Sequence, residues 1–408
     1  MVHLLNHCES RWRQSVRLVV RIQGGGGMGN RVLLVRGGEL PLTSGFGRAH
    51  NATIQRLESG LVSGWEIIQE VNHSMDDAGP LQRLRRRWFS HPRKVKKIAV
   101  ITNPDLIHIT DQEQAHLVPK KIFCPVVITV HDLFLLDPKI MKTDWGPIEI
   151  GNKNPGIVRG MDIRRLKRGL SRANMAICIS KKTAEHLAQL MPNIPIEIVP
   201  NSVDVHNRDP RKNLRPRPEL EPDSLHLLVI GSEDRRKAIS FVLDVIGDLD
   251  SEIRQSIVVH KIGAESDSLA ESRLKQHASK LRVRLRWHGK VEEEQLIALE
   301  QHADALLFPS AAEGFGLPVV EAMASGCPVL VNDLGAQNEH PPESNILPPF
   351  DILSWKEAII KLNDERVTRD SNNRPIREDL ILAASKYSPE NVAILHSQAY
   401  SKALELKK

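Results

Sequence analysis

The chain has 408 residues, 41% of them hydrophobic and 26% charged, with 25 Gly, 25 Pro and a formal net charge of +6. One hydrophobic core rarely serves more than about 250–300 residues, so the length predicts two domains, and the composition excludes a disordered or low-complexity chain. No stretch reaches the roughly 20 apolar residues that span a bilayer, and the four scattered cysteines, Cys8, Cys124, Cys178 and Cys327, exclude a spaced metal knuckle or dithiol motif. The expectation is a cytoplasmic protein with free thiols.

Residues 1–30 contain a glycine run at 24–27 that cannot hold regular structure cheaply, and they are expected to form a disordered leader. From residue 31 short apolar runs alternate with helical patterns. RVLLV (31–35), KIAVIT (97–102), VVITVH (126–131), MAICIS (175–180) and IEIVP (196–200) predict strands covered on both faces. The basic stretch QRLRRRWFSHPRKVKK at 82–97 fits peripheral contact with anionic lipid, with the rings of Trp88 and Phe89 at headgroup level. A solvated basic loop is its alternative. Nucleic-acid binding would account for the basicity but not for the motifs below, and no nucleic-acid partner is expected.

The polar, proline-rich segment 201–224 interrupts the alternation, which then resumes. LHLLVIG (225–231), SIVVHKIG (256–263), LRVRLRWHG (281–289), ALLFP (305–309) and CPVLVN (327–332) predict a second parallel sheet. An α/β chain of two doubly wound domains, 31–202 and 203–384, would bind ligands in a cleft at the carboxyl ends of its strands.

The stretch EGFGLPVVEA at 313–322 carries chemistry. Pro318 suits the start of a helix and Gly326 its end, so the loop delivers the chain into a short helix whose N–H groups and positive dipole end attract phosphate. Gly314 and Gly316 allow close backbone approach. Glu313 on the loop and Glu321 on the first helical turn place hydroxyl acceptors either side of the anion site, as a nucleotide sugar would need. Two solvated glutamates on a glycine loop are the alternative.

Upstream, VIGSEDRRKAISFVLDVI (229–246) ends a strand at Gly231 and adds Arg235, Arg236 and Lys237 before a helix. Fixed cations there favour a transition state in which a diphosphate leaves with growing negative charge. SGFGRAH (44–50) opens a helix with Gly45 and Gly47, and His131 and Asp132 end a predicted strand.

The stretch from Trp287 through the glutamate pair to Gly335 closely resembles the C-terminal domain of retaining glycosyltransferases of family 4, whose GT-B fold sets two Rossmann-like domains around a central cleft. The resemblance implies that Glu321 holds ribose hydroxyls and Glu313 the donor sugar, with backbone N–H groups of Phe315, Gly316 and Leu317 near sugar and phosphate. It implies backbone contacts to the base around Gly289 to Val291, a basic pair in Arg236 and Lys237, and His131 against the donor sugar. Gly45, Gly47 and Arg48 would lie under the diphosphate near the acceptor. The final helix, about 385–408, would return to the N-terminal, acceptor-side domain.

Two departures stand out. Ser232 replaces an arginine that many members carry, as in a subgroup rich in mannosyl- and related hexosyltransferases, and Ser202 stands where an interdomain glycine is usual. The implied activity is retaining transfer of a hexose from a GDP- or UDP-sugar to a glycan or lipid-linked acceptor. No metal is required, because two basic side chains and a helix end can carry the phosphate charge. A same-fold sugar-nucleotide epimerase and a non-catalytic sugar-nucleotide-binding module are the rival readings.

Overall fold

The computed structural model describes residues 29–39, 44–73, 79–265, 269–369 and 374–406. The expected leader falls outside the described residues except for Gly29 and Asn30. The described chain divides into two compact units. Unit 1 comprises residues up to 136, 154–202 and those from 389 onward; unit 2 comprises 137–153 and 203–388. The excursion at 137–153 is not visible in the sequence boundaries 31–202 and 203–384.

In chain order the strands are β1 Asn30–Gly38, β2 Trp65–His73, β3 Leu106–Ile109, β4 Val126–Val130, the hairpin strands β5 Lys139–Thr143 and β6 Gly146–Ile150, then β7 Met175–Cys178 and β8 Ile196–Ile198. The unit 1 sheet is parallel in the order β2-β1-β3-β4-β7-β8. Alternation along β1 splits its side chains between two cores: Leu33 and Val35 enter one face, Val32 and Leu34 the other. The second face is closed by the helices Gly45–Glu58 and Pro389–Glu405, through Leu57, Val392, Ala399 and Tyr400.

The strand expected at 97–102 is instead the end of a helix, His91–Thr102. Pro92 lies in its first turn, Val95 and Ala99 bury one face at helical spacing, and Asn103 ends it with a left-handed φ of 44°. Val100 and Ile101, which made the run look like a strand, are exposed. The sheet position is filled by β2 and β3.

Unit 2 repeats the doubly wound plan with β9 Leu225–Ile230, β10 Ile257–Ile262, β11 Arg284–Gly289, β12 Ala305–Phe308, β13 Val329–Asn332 and β14 Ile346–Leu347. The order is β11-β10-β9-β12-β13-β14, all parallel. Strand order reverses between β9 and β12, so the crevice beyond their carboxyl ends is where such a sheet takes a ligand. The β5–β6 hairpin belongs to this unit. Its Trp145 stacks on Phe350 with ring centroids 5.8 Å apart and donates from Nε1 to Asp244 at 2.9 Å.

The expected linker at 201–224 is partly built into unit 2. Arg208, on the turn of helix Val205–Arg208, is 2% exposed. Among the described residues no helix is long and apolar enough to cross a membrane, and Cys124, Cys178 and Cys327 are buried thiols outside any disulfide.

Candidate functional site

At the β9–β12 reversal, β9 runs into Gly231, whose φ of +142° turns the chain toward a short 3-10 turn, Arg235–Lys237. Asp234 caps that turn through its side chain, and Ala238, left-handed at φ 50°, starts the helix Ile239–Gly247. On the neighbouring strand, β12 ends at Phe308 and leads into the loop 309–316. Two backbone-level contacts tie loop to turn. Ala311 N–H donates to the Arg236 carbonyl at 2.7 Å, and Arg236 Nη1 donates to the Ala312 carbonyl at 2.9 Å.

The same geometry brings Arg236, Lys237 and Glu313 together. Lys237 Nζ donates to Glu313 Oε1, and Arg236 Nη1 lies 3.4 Å from the same oxygen. Burial alone would raise the Glu313 carboxyl, yet the charges of Lys237 and Arg236 hold it below the usual carboxylate range. Burial also pushes the Lys237 ammonium down, opposed by Glu313. The result is a desolvated carboxylate ready to accept hydroxyl hydrogen bonds and two cations that an incoming phosphate can share.

The glycines of this loop are there for space. Gly316 has φ +97°, and a Cβ on it would sit 2.9 Å from Gln337 Cβ. Gly335 has φ +63°, and a Cβ there would meet the Glu313 backbone nitrogen at 2.7 Å. Gln337 donates from Nε2 to the Ser310 carbonyl, 2.7 Å away. Phe315 is buried, with its carbonyl accepting from His340 Nε2 at 2.7 Å while His340 Nδ1 meets the Tyr387 hydroxyl at 2.7 Å.

The helix Leu317–Ala324 follows, with Pro318 in its first turn and no side-chain cap at Gly316. It stops at Gly326 with φ +62°: the N–H of Gly326 donates to Met323 and that of Cys327 to Ala322, a Schellman ending. Val291 follows the left-handed Gly289 in irregular chain just before the helix Glu293–His302.

Glu321 lies elsewhere than expected. It is the fifth residue of its helix, on the second turn rather than the first, and is 5% exposed. Its Oε1 faces Arg208 Nη2 at 3.8 Å. Arg208 also pairs with Glu300 at 2.5 Å and with Glu293, and Ser325 Oγ donates to Glu300 at 2.9 Å. One guanidinium thus serves three carboxylates. Burial pushes the Glu300 carboxyl up to about 7 against the opposing Arg208 charge, with Glu321 adding to the rise. Arg208 and Glu300 escaped the sequence reading because nothing local marks them; they meet across 92 residues of chain.

The remaining expected site residues lie in unit 1. Ser44 caps the helix Gly45–Glu58 by accepting from the Gly47 N–H at 3.0 Å; Gly45 is exposed, Gly47 buried and Arg48 half-buried. His131 is 7% exposed, donates from Nε2 to the Thr110 carbonyl at 2.9 Å, and meets the Phe46 ring edge at 4.9 Å. Burial lowers its pKa to about 4, so the ring is neutral with Nδ1 bare.

The basic stretch 82–97 is helical over most of its length rather than a loop. Arg87 grips Asp162 through Nε and Nη2, both at 2.9 Å. Trp88 donates to Asp162 at 3.0 Å and lies under the Arg165 guanidinium at 3.9 Å. Its ring is therefore spent inside unit 1, while Phe89 stays exposed.

Comparison with known proteins agrees with this geometry. The family described as Glycosyl transferases group 1 matches residues 210–379, and Glycosyltransferase Family 4 matches 66–207. The serotype-specific mannosyltransferase WbdA of Escherichia coli is 33% identical over 152 residues, 36% of this chain and 18% of WbdA. A D-inositol 3-phosphate glycosyltransferase of Streptomyces bingchenggensis is 34% identical over 134 residues, 31% of this chain and 30% of that enzyme. The chain thus spans under a third of either relative.

Among solved structures, sucrose-phosphate synthase from Thermosynechococcus elongatus superposes with a TM-score of 0.69 at 16% identity, covering 91% of this chain and 98% of that one. Anabaena HepE in complex with UDP gives 0.65 at 14% identity, covering 92% and 99%. At these identities the likeness establishes the fold.

Proposed function

Because the chain belongs to the family 4 glycosyltransferases and has their GT-B fold, we propose that it is a retaining hexosyltransferase, moving mannose or a similar hexose from a GDP- or UDP-sugar to a glycan or lipid-linked acceptor hydroxyl. One observation carries the reading: Arg236, Lys237 and Glu313 converge beside a glycine loop and an uncapped helix start at the strand-order reversal of unit 2. The name of the relative WbdA, a mannosyltransferase, supports the sugar class, and the UDP complex of HepE supports a nucleotide donor.

In this reading the bond between the anomeric carbon and the diphosphate oxygen breaks, with its electron pair leaving on the diphosphate. Arg236, Lys237 and the N–H groups at Phe315, Gly316 and Leu317 stabilise that charge more in the transition state than in the ground state. Glu313, kept ionised by its cations, orients sugar hydroxyls. Glu321, steadied by Arg208, holds the ribose. The acceptor oxygen bonds the anomeric carbon from the leaving group's own face, and its proton passes to a phosphate oxygen, which retains configuration without a protein nucleophile.

On unit 1, His131, Gly45, Gly47 and Arg48 are assigned to the donor sugar and acceptor. A cytoplasmic site of action, with Phe89 and the exposed basic residues near it touching anionic lipid, suits a lipid-linked acceptor.

The test is a thermal-shift screen of GDP- and UDP-hexoses followed by transfer assays with the donor that binds. A ligand at about 100 times its dissociation constant stabilises the fold by roughly 2.7 kcal/mol. Absence of stabilisation by every nucleotide sugar and every nucleoside diphosphate would sink the proposal. Donor consumption without an acceptor and with inversion at one sugar carbon would favour the epimerase instead.

A further inference from the structure

On the face of the unit 1 sheet that carries the helices Gly45–Glu58 and Pro389–Glu405, a cavity of about 20 Å³ is lined by His50, Thr53, Arg56, His131, Asn201 and His396, among others. That is room for a single water-sized particle. Two of its walls are unusual. Arg56 is 5% exposed and His396 2% exposed, yet among the described residues the Arg56 Nε and both ring nitrogens of His396 have no hydrogen-bond partner.

The partners that Arg56 does have are neutral. Nη1 donates to Ser202 Oγ, and Nη2 donates to Thr53 Oγ1 at 3.1 Å. Among the described residues it has no carboxylate partner. Glu70 is engaged by His50 at 3.0 Å and by Asn72 at 2.9 Å. Burial lowers the Arg56 pKa to about 10, which still leaves the guanidinium charged at neutral pH. Burial, with Arg56 and His108 adding to it, drives His396 well below its usual value, so its ring is neutral and offers one N–H.

A guanidinium taken out of water without an opposite charge costs several kcal/mol, and water in the cavity can satisfy its N–H but not its charge. The neighbouring histidines supply no counter-charge. His50 and His131 are already committed to Thr110, His50 through Nδ1 at 2.8 Å and His131 through Nε2 at 2.9 Å, so neither supplies negative charge.

We propose that this cavity binds one small monovalent anion of the halide class beside the Arg56 guanidinium and the His396 ring. The size of the cavity selects the class: a phosphate or a sugar carboxylate does not fit where one water-sized particle does. The anion supplies the counter-charge that the described residues do not place beside Arg56, and it lies next to Ser202, the residue that departs from the usual glycine of its segment.

The experiment compares thermal unfolding of the full chain in sodium chloride, sodium bromide and sodium gluconate at equal ionic strength, with crystals grown in bromide for anomalous diffraction. The expected result is a saturable rise in Tm of about 2 °C in either halide over gluconate, lost in Arg56→Gln, and a bromine peak in the cavity. Should Arg56→Gln fail to fold, His396→Leu removes one donor and must shrink the halide effect. Equal Tm in all three salts, a halide effect that survives the substitution, or cavity density without bromine signal would each overturn the proposal.

Discussion

Two clusters of arginine or lysine with glutamate in unit 2 are built from the same chemistry and put to opposite ends. In the first, Lys237 and Arg236 meet Glu313 at the rim of a loop, and their side chains keep 14%, 24% and 10% exposure. In the second, Arg208 is closed in with Glu300 and Glu321, whose side chains keep 3%, 0% and 6%. Solvent access separates cations that an incoming ligand can share from a guanidinium that stays with its carboxylates. A buried pair with a partner removed leaves an uncompensated charge, whereas a rim pair hands its cations to whatever anion arrives.

The contrast breaks most visibly if Arg208→Ala is made. Glu300 and Glu321 lose their cation, and denaturant unfolding should show a loss of about 3–5 kcal/mol. A variant as stable as the parent would mean the buried cluster is not the structural one. Next comes Lys237→Ala, expected to lower kcat of transfer by about 10²–10³-fold while losing less stability than Arg208→Ala, since Arg236 remains on Glu313. Paired melts and single-turnover assays separate the two effects, and the reverse ranking would exchange the roles of the clusters.

Gly316→Ala sharpens the picture of the loop. With φ at +97° and Gln337 in the way, alanine should cost about 1–3 kcal/mol, read as a lower Tm together with weaker nucleotide binding.

The smallest effect is in the pH dependence, where the two clusters have opposite signs. Glu300 has a folded pKa raised to about 7, so the folded state holds more protons than the unfolded chain above the ordinary carboxylate range, and this group's contribution to stability falls as pH rises toward 7. Glu313 has a lowered folded pKa, so its contribution is present above the ordinary carboxylate pKa and is lost as pH falls through the folded value. Melts from pH 4 to 8 should therefore show Glu300→Gln diverging from the parent as pH rises toward neutrality, and Glu313→Gln less stable than the parent at neutral pH with the gap closing only in acid. The buried histidines, such as His260 with a pKa pushed down to about 3, destabilise all variants alike as pH falls below about 6.5 and cancel in the difference.

The same two clusters mark what a sequence can disclose. Glu313, Gly314 and Gly316 sit within four residues, so their spacing alone marked a glycine loop, and five of the six strands of the unit 2 sheet stood out as apolar runs, with β14 too short to do so. Arg208 sat inside a segment that reads as a polar linker, and only folding brings it to Glu321. Position within the helix was read one turn early: the spacing put Glu321 on the first turn, and it lies on the second.

Unit 1 gave a different lesson. KIAVIT is as apolar as a strand, yet the core takes it up at helical spacing through Val95 and Ala99. The neighbouring WEIIQEVNH, polar on several positions, pairs as the edge strand β2, where full burial is not demanded.

The β5–β6 hairpin has a practical corollary. Because Trp145 fills a place among Phe241, Phe350 and Asp244, a fragment cut at residue 203 would be missing part of its own interior and should be sticky when expressed. Chimeras that exchange donor specificity between relatives would have to carry the seventeen-residue insert 137–153 along with the second half, or graft its tryptophan back, to yield a well-behaved hybrid.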